Sequence, residues 1–167
     1  MLPVTGAAPG ADWQGWVDLN QLPAMRNPPS GQIVTANNEV DRELGYVVTH
    51  DWVAPFRGQR ITEVLGDRHG LDIAAMRQIQ ADVTSRSADR ILNSIDVPES
   101  VKELRRWDRR IDGRSESLIY TAFEEAIWHG TFADEMSATL YQRFYRYSAN
   151  ERFAGVHAII ADPRSSW

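Results

Sequence analysis

The chain has 167 residues, 43% hydrophobic and 25% charged, with a net charge of −5, which are ordinary proportions for one globular domain or a large piece of one. The acidic balance argues against a nucleic-acid partner, which needs a basic surface. The absence of cysteine excludes disulfides, thiolate catalysis and Cys-based zinc sites.

The opening MLPVTGAAPGADW lacks the basic-then-apolar pattern of a signal peptide, and no apolar run approaches the ~20 residues of a membrane span. Residues 1–55 hold most of the prolines and form an extended, Pro/Gly-rich arm with two short β-branched runs, Gln32–Ala36 and Gly45–Thr49, joined by the polar EVDRELG. Two short strands make too little for an independent sheet. From Phe56 the periodicity becomes helical. FRGQRITEVL places Phe56, Ile61, Val64 and Leu65 near one face. LDIAAMRQIQADVTSRSADRILNSI reads as helical from an Asp72 N-cap, with Ile73, Met76, Ile79, Val83, Ile91 and Ile95 as its apolar positions. Pro98 suits the first turn of a helix that carries Val101, Leu104, Trp107 and Ile111 and ends at Gly113. A long helical region runs from Ser115 towards Ser148, interrupted near Gly130, with Leu118, Ile119, Phe123, Ile127, Leu140 and Phe144 among its apolar positions. A last short helix covers Arg152–Ile160, stopped by Pro163. The expected fold is therefore mainly α. A bundle of about five helices over residues 56–167 follows the arm of residues 1–55, and the six Trp and five Phe supply its core.

Chemistry-bearing patterns are sparse. The four histidines, His50, His69, His129 and His157, show no metal-ligand spacing and read as turn or surface residues. There is no G-x-S-x-G elbow, P-loop or G-x-G-x-x-G. Arg105, Arg106, Arg109, Arg110 and Arg114 are interleaved with acidic residues and read as a solvated helix face. One feature stands out: the strand-like QIVTA ends on Asn37-Asn38. Asparagine tolerates left-handed backbone and caps turns, so the pair suits a turn. An amide held rigidly at a strand end also suits a donor to a developing oxyanion. Residue chemistry leaves both readings open.

Four blocks, in order, resemble the penicillin amidase (penicillin acylase) family. DWQGWVDLNQLPAMRNPPSGQIVTANN resembles its W-x-G, LP, NP-x-x-G-x-I-x-x-ANN segment. WVAPFRGQRITEVL, MRQIQADVTSRSA and LRRWDRRIDGRSESLIYTAF resemble the blocks that follow, so the likeness runs from about Trp13 to Phe123. The resemblance implies an N-terminal-nucleophile hydrolase. Its serine, at the start of a β subunit freed by autocatalytic cleavage, attacks acyl amides such as penicillins, cephalosporins or acyl-homoserine lactones, with its own α-amino group as base. This chain then corresponds to the middle of the β subunit, with Met1 not the native start and the serine upstream. It is expected to be inactive alone, and its partners are the remainder of the β subunit, the α subunit and a small acyl amide. By the same resemblance Asn37 is the oxyanion donor, Asn38 holds the turn, and Arg60 lies close by and orients the amide. Phe56 and Trp52 are candidates for lining the acyl pocket. No cofactor is implied for this segment. The full-length enzyme's calcium site draws most of its ligands from elsewhere, and Asp51 is not assigned to it. The parent would be periplasmic or secreted, with a place in antibiotic biosynthesis. The arm, lacking its sheet partners, is expected to be displaced, swapped with a neighbouring copy, or disordered. The competing reading is a non-catalytic helical interaction or scaffold module.

Overall fold

In a computed structural model of the chain, the residues described are 6, 10, 12, 15–39, 44–49, 52–147, 149–162 and 164. Among them are six α-helices: α1 Phe56–Leu65, α2 Ile73–Gln80, α3 Arg86–Ser94, α4 Ser115–Phe132, α5 Ala138–Tyr147 and α6 Ala149–Ala161. Two 3-10 segments, Leu19–Gln21 and Glu99–Arg106, complete the regular structure. Mainly α is correct; against about five expected helices, the described part of residues 56–167 holds seven once the 3-10 segment Glu99–Arg106 is counted, and the expected strands do not form. Gln32–Ala36 and Gly45–Thr49 make no ladder, since a strand needs a partner edge and none lies beside them among the described residues. Among the described residues, pairing is limited to the antiparallel bridge Thr84–Arg110.

The helical stretch after Asp72 resolves into two helices because short polar side chains capture the backbone between them. Asp72 caps α2, its carboxylate accepting from Ala75 N–H at 2.8 Å. The Asp82 carboxylate then accepts from Thr84 N–H at 3.0 Å, and Ser85 caps α3 by accepting from Ala88 N–H at 3.1 Å. The segment after Pro98 winds as 3-10 rather than α, kinked at Val101 (φ −133°), and ends at Trp107, well before Gly113. α4 passes straight through Gly130, and the break falls at 133–137, where the Ser137 hydroxyl accepts from Leu140 N–H to open α5. α6 begins three residues before the expected Arg152; Pro163 lies outside the described residues.

The core is built by α3, the 3-10 segment and α4. Ala88, Leu92, Val97, Leu104, Trp107 and Tyr120 form one buried cluster, with the Trp107 and Tyr120 rings stacked at 5.0 Å. The Tyr120 hydroxyl donates to Glu124 at 2.7 Å; burial, then the Glu124 charge, pushes the phenol well above its usual range. Helical spacing mis-assigned several faces: Ile73 and Leu118 are 74% and 62% exposed, while Tyr120 and Trp128 are buried. α4 carries apolar side chains around most of its circumference, so periodicity alone does not select its inner face. Aromatic pairs join α4 to α5: Phe132 meets Phe144 edge-on at 5.3 Å and His129 meets Tyr141 at 5.4 Å.

His157 corrects the surface reading of the histidines. It lies on α6, only 7% exposed, with its ring 4.4 Å from that of Phe56 at the start of α1. Nε2 lies 2.8 Å from Ser87 Oγ at the start of α3. Three helices therefore meet at one neutral imidazole, whose pKa falls from the ordinary 6.5 to about 4 through burial first and the nearby Arg90 second. Because the folded pKa is depressed, this contribution to stability is fully present above pH 6.5 and is lost as pH falls from 6.5 to about 4. Thermal unfolding followed by circular dichroism should show stability dropping across that window, by roughly 2–3 kcal/mol in total. His157→Gln should flatten this dependence; an unchanged slope would rule the histidine out as its source.

Candidate functional site

The asparagine pair is reached through a tight turn. Gly31 adopts φ +66° and its N–H donates to the Pro28 carbonyl at 2.8 Å. The following segment lies along α1 in the reverse direction. Near its start, Gln32 Nε2 donates to the carbonyls of Gly66 (2.9 Å) and Arg68 (3.2 Å), just past the C-terminal end of α1. At its other end Asn38 lies against Gly58 in the first turn of α1. This part of the arm is thus attached to the helical region rather than displaced from it.

The two asparagines divide the work. Asn37 takes the left-handed backbone (φ +60°), and its carbonyl accepts from Val53 N–H at 2.9 Å. Its carboxamide is exposed and makes no hydrogen bond among the described residues. The Asn38 side chain closes the turn, Oδ1 accepting from Ala36 N–H at 3.3 Å and Nδ2 donating to the Glu39 carbonyl at 3.1 Å. Ala36, just before the pair, is 3% exposed.

Arg60 projects from α1 to the turn between α2 and α3. Its Nε donates to Asp82 Oδ1 at 3.0 Å and Nη2 to Asp82 Oδ2 at 2.7 Å, a two-pronged pairing; Nη1 also lies 3.2 Å from Glu63. The Arg60 hydrogen bonds hold the Asp82 carboxyl down at about 2, against a burial that pushes it upward. Arg60 bonds to Asp82, Thr84 and Glu63, not to Asn37, so the two sequence-identified residues share α1 as common support without touching. Asp82 escaped the sequence reading although it stands in the block MRQIQADVTSRSA; nothing local links it to an arginine 22 positions away.

A cleft of about 620 Å³ opens between α1, α2 and the start of α3. Phe56, Ile61, Val64, Met76 and Ile79 make its apolar wall, with Arg60, Asp82 and Ser87 at its polar side. Phe56 therefore lines a cleft, while Trp52 is not among its lining residues. No three His, Asp or Glu side chains stand together among the described residues; Asp51 and His50 lie outside them. No helix among the described residues is long and apolar enough to cross a membrane.

Comparison with known proteins leads to one class, bacterial acylases. Penicillin acylase 2 proenzyme of Pseudomonas sp. (strain SE83) is 33% identical over 138 residues, covering 75% of this chain and 18% of that protein. Acyl-homoserine lactone acylase QuiP of Pseudomonas aeruginosa is 27% identical over 156 residues, 92% of this chain and 18% of that protein. Its namesake in Pseudomonas putida is 22% identical over 179 residues, 92% and 22% respectively. The penicillin amidase family matches residues 1–167, and the chain belongs to it. The chain spans about a fifth of the length of the curated relatives it matches. No solved structure matches.

The Arg60–Asp82 pair carries a pH signature. With the Asp82 pKa depressed from 3.8 to about 2, its stabilisation is complete above pH 4 and fades as pH falls from 4 to 2. Asp82 and Arg60 are only 17% and 25% exposed, so Asp82→Asn should cost about 2 kcal/mol at neutral pH. Chemical denaturation at pH 7 reads the loss, and an NMR titration of the wild-type carboxyl reads its pKa. A carboxyl titrating at its ordinary value would contradict the pairing.

Proposed function

We propose that this chain is a portion of the β subunit of an amidohydrolase. The enzyme cleaves acyl amides of the penicillin, cephalosporin or acyl-homoserine lactone type, and Asn37 donates to the oxyanion of its tetrahedral intermediate. Family membership and the activities for which the relatives are named support the reaction class. The observation that carries the role of Asn37 is the division of work within the pair. An asparagine present only to close a turn spends its side chain on nearby backbone, as Asn38 does. The Asn37 carboxamide is instead left available on a backbone pinned at Ala36, Val53 and Asn38.

In the proposed reaction, the hydroxyl of an N-terminal serine upstream of this segment adds to the acyl carbonyl, and its α-amino group takes the proton. The carbonyl oxygen becomes an oxyanion that receives the N–H of Asn37 Nδ2. Collapse expels the amine, which takes up the proton; water then releases the acid from the acyl-enzyme. A donor carried on a backbone fixed in advance needs less reorganisation during reaction. Arg60 acts at one remove, holding through Asp82 the helix on which the asparagine turn rests. The rest of the β subunit and the α subunit would cover the arm, where Trp16 and Leu19 are 94% and 82% exposed. The parent enzyme is exported to the periplasm or beyond.

In the full-length enzyme, Asn37→Gly removes the donor and suits the left-handed backbone, so it should lower kcat roughly 10²–10³-fold with little change in KM. Asn37→Ala would add backbone strain and is the less informative variant. An undiminished kcat in Asn37→Gly would overturn the assignment. The 167-residue chain alone should not hydrolyse a chromogenic phenylacetyl amide or an acyl-homoserine lactone. Turnover by it that disappears in Asn37→Gly would refute an external nucleophile.

A further inference from the structure

We propose that Gly58 and Asn38 form a positioning pair that sets the aim of the Asn37 carboxamide; this rests on the oxyanion reading above. Gly58 is buried in the first turn of α1, and its φ is not positive, so backbone conformation does not require glycine there. Space does. A Cβ at this position would lie 2.7 Å from Asn38 Oδ1 and 3.2 Å from Asn38 Cγ. Glycine is a poor helix former, so its presence inside α1 runs against local preference and is explained by this close approach.

The Asn38 amide has little freedom to yield. It is a short side chain bonded at both ends, to Ala36 N–H and to the Glu39 carbonyl. Turning it away breaks the bond to Ala36 and opens the turn on the N-terminal side of Asn37. Asn37 therefore has three restraints: its own carbonyl on Val53 N–H, the Ala36 N–H held by Asn38, and Asn38 wedged against α1. A side chain added at position 58 acts on Asn37 through Asn38, without touching substrate or the reacting atoms. Misplacement of a reacting group by about 1 Å suffices for a large rate loss.

The test uses the full-length enzyme and steady-state kinetics. Gly58→Ala should lower kcat roughly 10–100-fold while KM stays nearly constant. Gly130→Ala is the control: a Cβ there meets nothing within 4 Å, so the same substitution in a second helix should leave kcat unchanged. Asn38→Ala should lower kcat by a similar factor, and Gly58→Ala/Asn38→Ala should be no worse than Asn38→Ala alone, because the obstructed side chain is gone. Losses that multiply in the double variant, or a Gly58→Ala enzyme with normal kcat, would overturn the proposal. If Gly58→Ala does not fold, Asn38→Ala decides: a normal kcat there refutes the pair. A drop in Tm with kcat intact in either variant marks a structural role only and refutes it too. Failure of the oxyanion reading is distinguishable, since it appears as full activity in Asn37→Gly.

Discussion

The two-pronged ion pair between Arg60 and Asp82 sets where the neighbouring parts of the chain lie. It joins the middle of α1 to the turn between α2 and α3 through two hydrogen bonds of 3.0 and 2.7 Å. That turn is itself held on its far side, where Ser85 N–H donates to the Arg109 carbonyl and Ile111 N–H to the Val83 carbonyl. Charge-assisted, two-pronged bonds on partly buried groups fix orientation as well as distance. The arm depends on the same joint, because Asn38 rests on α1 and Gln32 bonds to the carbonyls just past its end. The asparagine turn thus inherits its placement from an ion pair with which it has no contact.

How much of this was legible in the sequence follows from how local each cause is. The Asp72 cap and the start of α1 at Phe56 are written in neighbouring residues, and both are legible there. The split between α2 and α3 was also local, in the run Asp82-Val83-Thr84-Ser85, but apolar periodicity on both sides masked it. The inner face of α4, the burial of His157 between α1 and α3, and the Arg60–Asp82 pair all depend on residues far apart in the chain. The strands failed for a related reason: β-branched runs announce a strand only where a partner edge exists.

The candidate site shows the same limit. Block resemblance identified Asn37 and Arg60 together, and the structure places them on a common support without a bond between them. The resemblance already had Asn38 holding the turn, but it offered no means of telling the two amides apart by their bonding. The neighbouring cleft combines an apolar wall with Arg60 and Asp82, so the residues that fix α1 also border open space. The chain is about a fifth as long as its relatives, and its arm exposes Trp16 and Leu19.

Clipping the arm beside the two ends of α1, at Asn38 and just past the far end at Gln32, makes the contour between them a fixed length. A helix does not stretch, so an added or deleted residue in this interval cannot be absorbed there. It would slide the asparagines off their register or pull Gln32 from the end of α1. The stretch from Leu22 to Asn27, upstream of the Pro-Pro turn, makes no hydrogen bond to α1 among the described residues. Insertions and deletions should accordingly be tolerated before the Pro-Pro turn and rejected after it, a boundary that a scan of length variants for soluble folding would locate.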